Sequence, residues 1–419
     1  VTQRHIGLLV VAVLAVSAAA MFAYVASRDA GGGAGGAAVA APGGASANGS
    51  DTSLPSPPVA AAIGRWLPGD MHSHISPPDA PPDYGHAASN LDQAIAAARK
   101  AGLAWLVITP HSMDRKNEQS GRLWAEEMAD RLAKRPAGEG DPLVVLGWER
   151  TYQWPGDMTV SFVDLPKAFN QPIGKTMAEI RRQGGLAIAA HPFFLPGLFG
   201  DGDKSWKPWT DKTSRGADLD AYLSGLEIRH PASPAASAAR KWDDWIGRQQ
   251  RRVLGVGATD DHWGRLYATT WVYVEGDLTR EKLHAALASG RIVVGESASA
   301  GSLTVTSDRK GADGRAEVGR IGDAIVADRR ITIAWTGKGK LFIDGRQLRN
   351  ETGPVAFDIE PGTFHWVRLE AGIASYSNPV YVNLPESTAL PPLAPAPAAN
   401  ESRDAKDESE RPKYGPSAK

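Results

Sequence analysis

The chain has 419 residues and a net charge of −1, from 46 Lys and Arg against 47 Asp and Glu. That balance excludes a general nucleic-acid binder, which carries a basic excess, and 42% hydrophobic with 22% charged residues excludes a mainly disordered or collagen-like chain. Cysteine is absent, which removes thiolate zinc sites, cysteine nucleophiles and disulfides; any metal must rest on Asp, Glu and the 10 histidines.

Ile6 to Ala26 is an uncharged run of 21 residues preceded by Arg4, long enough to span a bilayer as a helix. Residues 1–28 therefore read as a signal anchor, with Ala18-Ala19-Ala20 offering a cleavage site if the segment is a signal peptide. Arg4 puts the body of the protein outside the cytoplasm, anchored to the membrane and facing outward, or periplasmic or extracellular after cleavage. Residues 29–63 are Gly, Ala, Ser and Pro with few large apolar side chains, a flexible linker.

Residues 64–298 alternate short apolar runs with helical patterns. A helix with Leu91, Ile95 and Ala98 on one face, opened by Ser89 with Asp92 three residues on, precedes the strand Leu103 to Ile108. A helix from Gln119 to Lys134 precedes Leu143 to Leu146, and one around Met177 to Arg182 precedes Gly185 to Ala189. Leu223 to Ile228 and Val253 to Gly257 are further strands, separated by a helix from Ala235 to Gln250. Unbroken apolar strands with helices between them predict a parallel sheet covered on both faces, and more than five such units suggest a barrel. Residues 299–384 change to period-two alternation, as in Arg330 to Trp335 and His365 to Leu369, which predicts a small β-sandwich. Residues 385–419 are Pro/Ala-rich and then of mixed charge, a disordered tail.

Histidines and carboxylates gather at the ends of the predicted strands. His72 and His74 lie two apart at the end of the first, so both imidazoles point to one side. His111 ends the second strand, Glu149 the third, His191 another, and Asp260 with His262 the last. In parallel α/β barrels that rim is where sites are built.

The order H-x-H, T-x-H, G-x-E, A-H-P and D-x-H resembles the PHP (polymerase and histidinol phosphatase) metallohydrolases. The opening Trp66-Leu-Pro-Gly-Asp-Met-His72 and the closing Thr269-Thr-Trp-Val-Tyr273 and Ala285 to Arg291 are similar to its carbaryl-hydrolase-like branch. The resemblance covers about Trp66 to Ser297. It implies a distorted seven-stranded (β/α) barrel holding two or three divalent ions (zinc, manganese or iron), followed here by the sandwich. It implies His72, His74, Asp79, His111, Glu149, His191, Asp260 and His262 as metal ligands, with Asp83 as the alternative to Asp79. Glu149 would bridge two ions, and Glu149 and Asp260 would act most directly in the chemistry.

Two positions depart from the family pattern. Pro110 stands where the second motif usually has Asp, and Asp157 stands where many members place a metal-binding His; Asp157 is expected to be a ligand there, since Asp can bind a hard or borderline metal, and His230 or His86 could substitute. Arg150, Arg229 and Arg265 adjoin motifs and could hold an anionic substrate. The implied activity is hydrolysis of a small ester by a hydroxide held between metals, phosphoesters first. Carboxyl-ester or carbamate hydrolysis is the alternative, and an exported binding protein with a degenerate barrel the reading from another class.

Overall fold

The structure, a computed structural model, describes residues 64–76, 87–111, 118–136, 138–150, 157–164, 173–192, 219–231, 235–349, 354–372 and 375–385. The run Ile6 to Ala26, the linker, Asp79, Asp83, His86 and the tail lie outside them. Among the described residues no helix is long and apolar enough to cross a membrane.

The chain is mixed α/β. Strands β1 (Gly64–Asp70), β2 (Trp105–Ile108) and β3 (Leu143–Arg150) pair in parallel, with helices α1 (Leu91–Lys100) and α2 (Glu118–Lys134) in the connections. Leu91, Ala94, Ile95 and Ala98 form the buried stripe of α1. Its cap differs from the predicted one. Asn90 accepts from the Gln93 amide at 2.9 Å and Gln93 Oε1 accepts from the Asn90 amide at 2.9 Å, a reciprocal capping box. Ser89 is otherwise engaged: it is buried, and its carbonyl accepts from Ser76 N–H at 2.7 Å.

The sheet then reverses. Strand β4 (Met158–Ser161), which the predicted set of parallel strands lacks, runs antiparallel to β3 and to β5 (Leu186–Ala189). Gly147 makes the reversal possible, because a Cβ there would meet Val160 O at 2.3 Å. Helix α3 (Ile173–Arg182) precedes β5; β6 (Gly225–Arg229), helix α4 (Ala235–Gln249) and β7 (Leu254–Gly257) follow, and β5, β6 and β7 are parallel. Beyond β7, Asp261 bridges Ser73 in parallel, and Asp261 O accepts from His74 N–H at 2.9 Å. The segments following the first and seventh strands are thus joined directly.

Strand β8 (Thr270–Glu275) pairs antiparallel with β1, and β9 (Ile292–Val294), which follows helix α5 (Arg280–Ala288), pairs antiparallel with β8. The following strands form two layers. One is a four-stranded sheet in the order β11 (Ala316–Arg320), β10 (Thr304–Lys310), β13 (Arg330–Ala334), β16 (Val355–Asp358). The other contains β12 (Ala324–Ile325), β14 (Gly339–Ile343), β15 (Arg346–Arg349), β17 (His365–Ala371), β18 (Ser375–Ser377) and β19 (Val380–Val382). Val305, Ile331 and Ile333 of the first share a buried core with Leu341, Val367, Leu369 and Val380 of the second. The second layer is not a free-standing sheet. β18 pairs with β9, so it continues the sheet containing β1.

A buried ion pair adds to this junction. Asp243 of α4 accepts from Arg368 of β17 at Nε (2.9 Å) and Nη2 (2.5 Å), and from Trp366 Nε1 at 3.0 Å. Glu370 takes the remaining Arg368 amine, Nη1, at 2.8 Å.

Candidate metal centre

The chain segments beyond the strands are held to one another by backbone bonds, and this fixes the rim. Asp70, fully buried, accepts from His72 N–H at 2.9 Å and from Thr259 N–H at 3.1 Å, tying the end of β1 to the residues after β7. Burial pushes the Asp70 carboxyl up to about 7, against the pull of its Thr259 and His72 partners. Thr109 N–H donates to Ser73 O at 2.7 Å, and Glu149 N–H to Pro110 O at 2.9 Å. Pro110, which lacks an N–H, still supplies the carbonyl that the neighbouring strand uses. The antiparallel run of β4 sets its beginning at the same rim as the ends of β3 and β5, and Asp157, just before β4, thereby joins Glu149 and His191.

The side chains of His72, His74, His111, Glu149, Asp157, His191, Asp260 and His262 converge into three overlapping groups, each with ligand atoms within 4.8 Å of one another. His72, His74, Glu149 and Asp260 form one, Glu149, Asp157 and His191 a second, and His74, His111 and His262 a third. His74 thus belongs to two groups. Asp79, which the family pattern adds to the ligands, lies outside the described residues. His230 sits at Asp260 rather than with Asp157, its Nε2 3.4 Å from Asp260 Oδ2.

Glu149 is central and 1% exposed. Its Oε1 is 2.9 Å from His191 Nε2, and its Oε2 is 3.0 Å from His111 Nδ1 and 3.5 Å from the Nε2 atoms of His72 and His74. Asp260 Oδ1 is 3.0 Å from His74 Nε2 and 3.3 Å from His72 Nε2, and those two nitrogens are 3.0 Å apart. Asp260 and His191 both have positive φ, 50° and 28°, a backbone that side chains other than glycine adopt uncommonly.

Electrostatics reinforce the picture. Burial disfavours ionised Glu149, yet His111 and His72 hold its carboxyl well below the usual range. Burial disfavours ionised Asp260 as well, yet the neighbouring imidazoles of His72, His230 and His74 hold its carboxyl well below its ordinary value. Burial also works against charge on His72, but Asp260, Glu149 and Glu227 override it and raise that imidazole. Glu149, Asp260 and Asp157 similarly push His191 up to about 9. Burial, together with the neighbouring His111 and His262, holds His74 well below its usual value.

The donor set fits divalent cations. Glu149 Oε2 and Asp260 Oδ1 are buried and receive no hydrogen bond, although imidazole nitrogens lie close by. Buried carboxylate oxygens left so are rare, and nitrogen and oxygen donors converging on one point are what zinc, manganese or iron take as ligands.

One functional candidate was missed by the sequence reading. Glu227 of β6 is fully buried, with Oε1 2.9 Å from His72 Nδ1 and Oε2 accepting from His191 N–H at 2.7 Å. The signal was an acidic residue inside the apolar run Leu226-Glu227-Ile228. Arg229 is paired with Glu296 at 2.7 Å, Arg150 donates to Thr176 Oγ1 at 3.2 Å, and Arg265 is exposed.

No family model matches the chain, and no curated protein does. Among solved structures, a Bifidobacterium adolescentis protein provisionally described as a metal-dependent phosphoesterase overlaps 54% of this chain and 97% of its own, at 13% identity and TM-score 0.34. The lesion-specific endonuclease EndoQ from Pyrococcus furiosus overlaps 61% of this chain and 69% of its own, at 13% identity and TM-score 0.38. An Endonuclease Q complex with a 27-mer duplex bearing an abasic lesion overlaps 53% and 56%, at 13% identity and TM-score 0.35. At these scores the likeness decides neither fold nor activity, and the chemistry is read from the side chains.

Proposed function

We propose that this chain is a hydrolase dependent on two or three divalent cations, with phosphoesters as its substrates. The observation that carries the reading is the position of Glu149: one buried carboxylate whose two oxygens face two different ligand groups. Bound divalent ions would acidify a water and stabilise charge developing on the substrate oxygen, and a pair held by one carboxylate suits in-line displacement at phosphorus.

The chain's own residues supply the rest. His72, His74 and Asp260 would hold one cation with Glu149, and His191 and Asp157 the other. His111 and His262 would hold a third ion with His74, and with Asp79 from the family pattern. Side-chain exposures of 18% at His111 and Asp260 and 15% at His262, against 0% at His72 and 1% at Glu149, set the open side of the cluster. A small ester would approach there, beside Trp263, which is 66% exposed. The carbonyl of Asp260 accepts from His262 Nδ1 at 2.9 Å, leaving Nε2 of that ring for the cluster.

The strand order β1 to β7, with β4 reversed, supports a distorted seven-stranded barrel, and the two layers after it a sandwich sharing one sheet with that barrel. The run Ile6 to Ala26 supports an exported, membrane-tethered body, which fractionation of the full chain tests. The balanced charge supports a small-molecule substrate over a stable nucleic-acid partner.

The deciding experiment is to load the purified protein with manganese or zinc and assay bis-p-nitrophenyl phosphate, p-nitrophenyl phosphate and naphthyl acetate side by side. Turnover of the phosphoesters supports the reading. Turnover of the carboxyl ester alone moves it to carboxyl-ester or carbamate hydrolysis, and protein that retains no metal rejects the hydrolase.

A further inference from the structure

Glu227 is absent from all three ligand groups although it is wholly buried beneath them. Its Oε1 faces Nδ1 of His72, while the Nε2 atom of the same ring faces His74, Glu149 and Asp260. The carboxylate is therefore behind the ring, on the side away from the cluster. Its other oxygen holds the backbone N–H of His191, the residue whose φ is 28°. His72 belongs to one ligand group and His191 to another.

We infer that Glu227 is a positioning residue that serves two metal subsites at once. An acceptor at Nδ1 makes that nitrogen the donor, so the Nε2 lone pair is left for a cation. The same carboxylate fixes the strained turn from which the His191 ring is aimed. The two effects come from one side chain, so removing that side chain withdraws support from both subsites. Such carboxylate–histidine arrangements change metal affinity by about tenfold to hundredfold when broken. The inference rests on the metal-dependent reading above, but not on which ester is cleaved.

Glu227→Gln is the test. It keeps the shape, but an amide has one acceptor oxygen where two are needed. Either His72 Nδ1–H or His191 N–H must then face an amide NH₂ group. Manganese and zinc binding to wild type and E227Q would be followed by calorimetry and elemental analysis, beside circular dichroism and thermal melting of both metal-free proteins. In the zinc-loaded form, the downfield proton resonance of the His72 Nδ1–H would be compared as well.

The expected result is metal-free E227Q folded like wild type, affinity lower by about tenfold or more at the subsite whose partner faces the NH₂ group, and the Nδ1–H resonance shifted or lost. E227Q binding metal with wild-type affinity and stoichiometry overturns the inference and leaves the hydrolase reading intact. Glu227→Ala offers neither partner an acceptor and should weaken both subsites; loss at only one of them in that variant overturns the shared role. Wild type that binds no metal overturns both. If E227Q does not fold, Glu227→Asp takes its place: it retains both acceptor oxygens on a shorter arm, and wild-type affinity at both subsites would likewise overturn the positioning role.

Discussion

Glu149→Gln is the sharpest perturbation of the cluster. The substitution keeps the volume of the side chain and removes one negative charge. That charge lies 3.0 Å from His111 Nδ1, 2.9 Å from His191 Nε2 and 3.5 Å from the Nε2 atoms of His72 and His74. Two unit charges about 4 Å apart in an effective dielectric of about 20 interact by about 4 kcal/mol. A glutamine oxygen can still ligate one cation, so part of this survives. Losing about two-thirds, roughly 2.7 kcal/mol, lowers kcat about a hundredfold. Metal content should fall with it, because the neutral side chain no longer offsets two neighbouring cations. The assay pairs steady-state phosphoester hydrolysis with elemental analysis of the same samples. If E149Q keeps kcat and metal load within about twofold of wild type, the shared-carboxylate reasoning is wrong.

Asp157→Ala should cost about tenfold in kcat, less than E149Q, since it removes one carboxylate from the Glu149–Asp157–His191 group; Asp157→His should raise zinc affinity at that group, measured by chelator competition. Metal binding should release protons at pH 7, because His191 is pushed up to about 9 and His72 is raised, so calorimetry in buffers of different ionisation enthalpy should show the release, and titrations at several pH values should show affinity increasing with pH. The same shift makes the metal-free protein gain stability from His191 below about pH 6.5, a gain lost as pH rises toward about 9, visible as a falling melting temperature. Arg368→Ala leaves Asp243 buried without its guanidinium partner and should cost about 3–5 kcal/mol in urea unfolding; an unchanged midpoint would show the pair to be idle.

Much of the rim was legible because its signals are local. Two histidines at spacing two in a strand point one way whatever surrounds them, and an acid or imidazole closing an apolar run marks a strand end. Strand direction is not local. Met158 to Ser161 is four residues long and carries no sign of which way it runs, and the reversal depends on Gly147 meeting Val160 across the sheet. Glu227 was passed over for a similar reason: its partners are 155 residues away at His72 and 36 away at His191. At the first helix, Ser89 and Asn90 offer equivalent caps in sequence, and the contact of Ser89 with Ser76 decides between them. The expected division near residue 299 follows a change of period, but periodicity says nothing of an edge such as β9 receiving β18.

The pairing of β9 with β18 has a consequence for synthesis. Residues emerge from the ribosome at about 5–20 per second, and roughly 80 separate Val294 from Ser375, so the β9 edge waits about 4–16 s for its partner. During that interval every residue assigned here to the metal centre has already been made, while an unpaired strand adjoins a core that lacks Tyr376 and Tyr381. Early arrest of translation within residues 299–374 should therefore yield chains that bind chaperones and resist dispersal, and release of the completed chain should cure it.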